Sequence, residues 1–473
     1  MAYRYKKSRR TPRADNSWIE GLTDGFRWGL QAENWDIGYT FIGKTNGRFH
    51  GYRSWGWSER ELAAWGEAID SMQSVCRLEF VDRGVNNSRN VELWFYSVGN
   101  DTDDLGFAYT PGSGGDEGLV AVGWRAYKNR KGKFTASIAP GSYHWITYIH
   151  ELGHAVGLKH PHDRGIRGED RFPGLRQNSN EQRDSGDFGQ NAQPYTMMTY
   201  VDMNARNGLV PSSELAYGFL KTPGALDTAT LQYMYGINRN TASADDVYVL
   251  PTANEEGTGW VSIWDTGGWD RLDGSQAKRR TTLDLRNATL GLDSHAGGFV
   301  SRVKGVFGGF TIAHDWDGEN IGSRAGLCVI EEAEGGSAAD VLIGNHVANR
   351  LIGGPGADRL TGGLGGDEFV IDMMGLYGRK HADRITDFNP DEGDKLLLRS
   401  PKSGLSDGVQ LSKAASKEAR RMLTLGDSEL IYNQHNGFLY LNQNGEEAGH
   451  GEGGLFAILR GAPDLNLGDI ILA

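Results

Sequence analysis

Residues 335–370 divide into four units of nine, GGSAADVLI, GNHVANRLI, GGPGADRLT and GGLGGDEFV. The template beneath them is G-G-x-G-x-D-x-U-x, with U apolar. Nine residues are too few to close a core, so each unit must stack on its neighbours as a Gly-rich turn and a short strand. The apolar eighth positions, Leu342, Leu351, Leu360 and Phe369, are expected to point inward. The carboxylates of Asp340, Asp358 and Asp367 are expected beside turns built on Gly335, Gly353, Gly354, Gly356, Gly362, Gly363 and Gly365. Such turns offer carbonyl and carboxylate oxygens. Calcium takes about six to eight of these, so several structural Ca2+ ions shared between neighbouring turns are expected. The second unit is degenerate, with Asn345 and Asn349 where Gly and Asp recur. A flexible Gly-rich linker would not keep its Asp and apolar positions in a strict nine-residue step.

The rest of the chain fits a cation-binding protein. Gly, at 68 residues against 13 Pro, is about twice its usual share and follows no collagen period. A formal net charge of −12 argues against a nucleic-acid partner, since phosphates need Lys and Arg. Cys76 and Cys328 stand alone. They exclude a multi-Cys zinc site and a disulfide framework, and leave either one long-range bridge or two buried free thiols. No apolar run is long enough for a membrane-spanning helix, so no membrane partner is expected. Residues 1–13 carry Arg4, Lys6, Lys7, Arg9, Arg10 and Arg13 without the apolar stretch of a signal peptide. Residues 1–14 are therefore read as a basic leader, disordered or cleaved, in preference to a nucleic-acid arm.

Before residue 240 the pattern mixes helices and strands. Residues 14–30 read as a short helix and turn, and GYTFIG at 38–43 as a strand. Ser58 and Glu61 form a capping-box pair, with Leu62, Trp65, Ile69 and Met72 as the core stripe of the helix that follows. LEFV, VELWFYSV and GLVAVGW, at 78–81, 91–98 and 118–124, read as strands, with loop between at 99–117. Helices are expected at 142–157 and 226–236, and a long polar loop at 163–194. Beyond 238–245 helical periodicity fades and short β-like runs alternate with Gly-Asp turns.

The sequence HELGHAVGLKH at 150–160 carries the chemistry. Positions i and i+4 share a helix face, so His150 and His154 can bind one metal ion. Glu151 sits beside the first ligand, placed to reach a metal-bound water as general base. Gly157 lets the chain leave the helix sharply, so that His160 swings back as third ligand. Three neutral imidazoles fit one catalytic Zn2+ with a position open for water, whose pKa falls toward ~7. His144 lies on another helix face, and His162 reads as a surface residue.

These residues resemble the metzincin metallopeptidases and, with Pro161 directly after the third His, the secreted serralysins. PYTMMTY at 194–200 is similar to the family's Met-turn, which implies Met198 as the turn methionine. The resemblance also implies Tyr200 as a further zinc ligand that swings away to steady the oxyanion. Thr199 departs from the usual Ser, and the 38-position step from His160 to Met198 is longer than the family's. GLVAVGW is expected as the edge strand that pairs with an extended substrate. LDTATLQYMYGIN resembles the helix that ends the catalytic domain. WDTGGWDRL at 264–272 resembles a serralysin calcium turn, which implies Asp265, Gly267, Gly268 and Asp270 as ligands. Within 382–398, Asp383, Asp387 and Asp394 could bind another ion or cap turns. The nonapeptides resemble the repeats-in-toxin family, and the ending GDIILA an uncleaved signal for one-step (type I) secretion machinery.

The implied fold is α+β. A metzincin zinc-protease domain over 15–240 is followed by an all-β parallel β-roll and β-sandwich calcium-binding domain over 241–473. The implied function is a secreted, monomeric zinc endopeptidase acting on proteins and peptides. Two rivals stand beside it, a calcium-dependent adhesin with an inactive protease domain and a zinc amidase for small molecules. Intact His150, Glu151, His154, His160 and Tyr200 count against the first, and the Met-turn against the second.

Overall fold

The computed structural model describes residues 8–472 apart from 30–33, 46–50, 100–104, 167, 169, 177–180, 202–207, 212, 315–327, 374–375, 400–404, 406–408 and 446. It is a mixed α/β structure rich in parallel strands. The first half holds helices α1 (Ser17–Leu22), α2 (Glu59–Val75), α3 (Tyr143–Ala155) and α4 (Ala225–Tyr235). Its strands are β1 (Ser8–Arg10), β2 (Phe26–Trp28), β3 (Asp36–Phe41), β4 (Glu79–Asp82), β5 (Leu93–Val98), β6 (Gly106–Ala108) and β7 (Leu119–Gly123). Five of them form one sheet in the order β4-β3-β5-β7-β6, parallel except for the antiparallel pair β6/β7.

Ser58 caps α2 through the expected box, its backbone N–H donating to Glu61 Oε2 at 2.9 Å. Trp65, Ile69 and Met72 are buried, but Leu62 is 38% exposed. The reason is Glu61. Its buried carboxylate pairs with Lys128 and accepts from Tyr127 Oη at 3.0 Å, so the first turn of α2 faces the core through an ion pair. Two strand expectations also shift. β6 forms inside the stretch read as loop. β7, expected at the edge, is interior, because β6 covers it. Part of the basic leader is ordered: β1 pairs antiparallel with β2.

After α4 the chain coils. Its strands alternate between a seven-stranded sheet and a nine-stranded sheet. Strands 332–334, 350–352 and 368–372 stack in the first, and 341–343 and 359–361 in the second, all parallel. One coil is therefore two nonapeptides. Leu342, Leu351, Leu360 and Phe369 are fully buried between the sheets. Towards the C-terminus the second sheet turns antiparallel through strands 454–459, 438–441 and 430–433.

The Asp side chains tie coil to coil. Thr281 N–H donates to Asp340 Oδ1 at 2.6 Å, Asp340 N–H to Asp358 Oδ1 at 2.7 Å, and Asp358 N–H to Asp383 Oδ1 at 2.9 Å. On the other sheet Asn349 N–H donates to Asp367 Oδ1 at 2.8 Å, and Asp367 N–H to Asp394 Oδ1 at 2.9 Å. Asp387 caps a turn, accepting from Gly362 and Gly363 N–H at 2.9 and 3.0 Å. The turn glycines leave room for these oxygens. A Cβ on Gly353 or Gly356 would lie 2.5–2.6 Å from an Asp358 oxygen, and one on Gly335 2.8 Å from Asp340 Oδ2. On Gly354 it would meet Gly336 O at 2.6 Å, and on Gly365 Val347 O at 2.9 Å. Gly362 and Gly363 pack likewise on Asp367 Oδ2 and Asn345 O, and Gly363 also has a φ of +104°.

Asp358 Oδ2 is buried with no hydrogen-bond donor, and such oxygens fit a calcium ion. The degenerate unit does not. Asn345 Nδ2 donates to Leu285 O and Ile330 O at 3.2 and 2.9 Å, and Asn349 Nδ2 to Glu331 O at 3.2 Å. Amide protons here occupy those carbonyls.

Without cations the buried carboxylates oppose one another. Burial, then Asp394, pushes Asp367 up to about 7, and burial with Asp383 drives Asp358 upward. A carboxyl with a raised folded pKa stabilises the fold while protonated, and that stability is lost as pH rises from the unfolded value near 4 through the folded one. In a chelator, the melting temperature is therefore expected to fall by on the order of 5–10 °C between pH 5 and pH 8. Millimolar calcium is expected to abolish the fall. Calorimetry at both pH values checks this, and a flat profile in chelator would contradict it.

Candidate metal centre and cleft

Helix α3 starts at Ser142, whose side chain accepts from Trp145 N–H at 3.2 Å. It ends at Gly157, which has a φ of +107° and packs against the Phe26 carbonyl, so a side chain is excluded twice. The chain then crosses the end of α1, Lys159 N–H donating to Leu22 O at 2.8 Å, and returns His160 to the helix.

Three ring nitrogens meet there. His160 Nε2 lies 3.1 Å from His150 Nε2 and 3.0 Å from His154 Nε2. Each Nδ1 faces an oxygen: His150 donates to Met197 O at 2.8 Å, His154 to Leu158 O at 2.8 Å and His160 to Asp163 Oδ2 at 2.6 Å. The protons thus sit on Nδ1, and three Nε2 lone pairs converge. Burial, then the neighbouring His160, pushes His150 down to about 3, and burial, then His150, holds His154 well below its ordinary value. Neutral imidazoles oriented by outer oxygens are a fitting donor set for zinc.

Met198 lies beneath the helix. A Cβ on Gly153, between the first two His, would come within 2.8 Å of Met198 Sδ and Met197 Cε. Asp227 in α4 holds this turn. Its buried carboxylate accepts from Thr196 Oγ1 and Met197 N–H, both at 2.6 Å, and from Gly224 N–H at 2.8 Å. Burial pushes its pKa up to about 7 against those three hydrogen bonds. A chain of contacts therefore runs from α4 through Met197 to His150. Sequence reasoning missed Asp227, although an Asp in a helix's first turn is a visible capping signal.

Tyr200 is exposed, its ring centroid 4.4 Å from that of His160 and 5.7 Å from that of His150. His162 is not a surface residue. It is buried, stacks on His160 at 5.1 Å and touches the Tyr200 ring at 5.2 Å. His144 lies apart, against Tyr127 and Tyr143. Cys76 and Cys328 are both buried free thiols.

A cleft of about 280 Å3 opens beside His150 and Glu151, with Gly106 of β6 on one wall and Tyr143, Gln193 and Tyr200 among the residues facing it. A Cβ on Gly106 would sit 2.8 Å from both Glu151 Oε1 and Thr147 Cγ2. The edge strand thus runs directly past the Glu151 carboxylate. The long loop is tied to the second half. Gln190 Nε2 donates to Ser294 O at 2.8 Å, and Gln190 Oε1 accepts from Gly297 N–H at 2.7 Å.

In the coiled half, Asp265 and Asp270 come together with Asp246, which was not foreseen, their oxygens within 4.8 Å of one another. Gly267 N–H donates to Asp265 Oδ1 at 3.0 Å, and a Cβ on Gly268 would lie 2.8 Å from Asp270 Oδ1. Asp246 N–H donates to Asp270 Oδ1 at 2.8 Å, the same coil-to-coil bond as in the nonapeptides.

Residues 224–446 match the family described as Peptidase M10 serralysin C terminal. The chain is 28% identical over 329 residues to Metallopeptidase AprA of Pseudomonas marginalis, covering 66% of this chain and 60% of that protein. It is 28% identical over 341 residues to a serralysin of Photorhabdus luminescens, covering 69% and 62%. With a serralysin of Proteus mirabilis it shares 26% over 299 residues, covering 59% and 52%. The match thus spans less than two thirds of the relatives' length. No helix among the described residues is long and apolar enough to cross a membrane. Residues 224–446 are thus similar to the serralysin C-terminal family, and the chain is similar to proteins named as serralysin metallopeptidases.

Proposed function

We propose that this chain is a secreted, zinc-dependent endopeptidase stabilised by calcium. The observation that carries the reading is the meeting of three Nε2 atoms at 3.0–3.1 Å beside a buried Glu151. His150, His154 and His160 would hold the ion, beside the Tyr200 ring. Zinc bound there would supply an acidified water and a polarised carbonyl. Glu151 takes the proton and later delivers it to the leaving amine. The Tyr200 phenol donates to the developing oxyanion. The free edge of β6 pairs with the backbone of an extended substrate, so that main-chain hydrogen bonds align the peptide and the cleft reads one side chain. Ordering by calcium outside the cell, at roughly millimolar affinity, accords with export of an open coil.

The test is casein cleavage in calcium. Wild type is expected to cut, and Glu151→Ala, at equal zinc occupancy, to lose at least about a thousandfold in kcat/KM. Two folded, zinc-loaded proteins that both fail to cut would end the endopeptidase reading for general substrates.

Gly106→Val is expected to retain zinc and its melting temperature but lose on the order of a hundredfold in kcat/KM, because its side chain displaces the Glu151 carboxylate. Equal rates would show that the Gly106 contact does not hold the Glu151 carboxylate in its working position. Asp227→Ala is expected to weaken zinc binding by about 10–100-fold through the loosened Met197 carbonyl, as competition with a chelator would measure. Unchanged affinity would reduce Asp227 to a folding role.

A further inference from the structure

The two sheets of the coiled half treat charge in opposite ways. At one register position of the seven-stranded sheet the signs alternate from strand to strand: Arg271, Glu332, Arg350, Glu368, Lys395. Arg271 lies 3.5 Å from Glu332, and Arg350 3.8 Å from Glu368. On the nine-stranded sheet Arg359 sits directly beside Arg384, with Ile458 and Phe438 next in the row. Leu360, Ile385 and Leu459 are buried, so this row faces outward. Arg460, two residues beyond Ile458, joins the same face, and Arg379 stands over the Phe438 ring at 4.9 Å. Together the four arginines line a groove of about 450 Å3 with Phe438 and Thr386. All four are exposed, and none forms an ion pair among the described residues.

Like charges side by side across strands destabilise a sheet, and nothing in the coil requires them, since the opposite sheet pairs its own. Four unpaired guanidiniums in one concavity of a chain with net charge −12 are the complement of an anionic ligand. Adjacent strands lie about 4.8 Å apart, so the cluster is wider than one tetrahedral oxyanion. The ligand must carry several. In millimolar calcium, phosphates precipitate and carboxylate clusters chelate, whereas sulfate monoesters hold calcium weakly and remain free for guanidinium. That last step rests on the calcium reading above; the groove does not. The apolar strip of Ile458 and Phe438 gives the body of a sugar a surface to lie on. We propose that this groove binds a saccharide bearing two or more sulfate esters.

The test is calorimetric titration of the full chain with a heparin-derived tetrasaccharide in millimolar calcium. Wild type is expected to bind, and Arg359→Gln/Arg384→Gln to lose at least about tenfold in affinity at a melting temperature no lower than that of wild type. The desulfated tetrasaccharide and free sulfate are expected to bind at least tenfold more weakly. No binding by wild type, or equal binding by the variant, would overturn the site. Equal competition by the desulfated sugar or by poly-glutamate would overturn the sulfate ligand. Melting temperatures with and without calcium, taken alongside, separate the readings. If they are equal, the calcium reading falls, and the Arg variant alone still decides the groove.

Discussion

Lone pairs brought together without protons between them repel, and both halves of this molecule are organised around such groupings. In the first half three Nε2 atoms meet while every Nδ1 spends its proton on an outer oxygen. In the second, Asp carboxylates are buried at coil corners, where amide donors satisfy one oxygen and leave Asp358 Oδ2 with none. Neither arrangement is a low-energy end state for the polypeptide alone. Each has the donor chemistry that a cation would reconcile, softer nitrogens suited to zinc and hard oxygens suited to calcium.

The cost of holding donors in opposition is met by packing that crosses the whole chain. One hydrophobic cluster runs from Trp18 through α3 to Leu465 in the coil. Trp18 Nε1 donates to Gly291 O at 2.8 Å, and Trp264 Nε1 to Asn238 O at 2.9 Å, so each half supplies acceptors to the other's indoles. The long polar loop joins this seam. Phe172 packs edge-on against Trp18 at 4.8 Å, and Gln190 bonds the 294–297 segment. The cleft wall that follows, at Gln193, is therefore anchored on the coiled half. Unfolding the coil would be felt at the cleft through these bonds rather than through any contact with the metal ligands.

What could be read in advance was what depends on spacing. The nine-residue step placed Leu342, Leu351, Leu360 and Phe369 in the core, and the His spacing placed three imidazoles on one point. What could not be read depends on tertiary choice. Leu62 fits a helical stripe, yet Glu61 took the inward position, because Tyr127 and Lys128, 66 and 67 residues away, satisfy its carboxylate. β6 is three residues long and sits between Gly- and Asp-rich segments, so its composition reads as loop. Only pairing to β7 makes it a strand, and that pairing moved the exposed edge from 118–124 to 106–108. His162 reads as surface until the return of His160 stacks it inward. Asp227 lay in view at a helix start, but its second function, holding Met197, exists only once α4 meets the Met-turn.

The two halves also differ in how they tolerate change. The imidazoles lie on a helix and its return, where each ligand has one outer partner and one position, and no neighbouring residue can substitute for a lost ring. The coil is a stack in which each turn of two nonapeptides pairs its strands with the turns on either side, so a defect stays local. Asn345 and Asn349 illustrate this. Their amide protons keep the carbonyls of Leu285, Ile330 and Glu331 bonded, while Leu342 and Leu351 on either side stay fully buried. The same locality explains why charge can alternate on one face of the coil and accumulate on the other. Outward residues of a stacked strand answer only to their lateral neighbours, so a row of arginines costs the fold little beyond its own repulsion. That repulsion is a standing free energy which a bound anion would release.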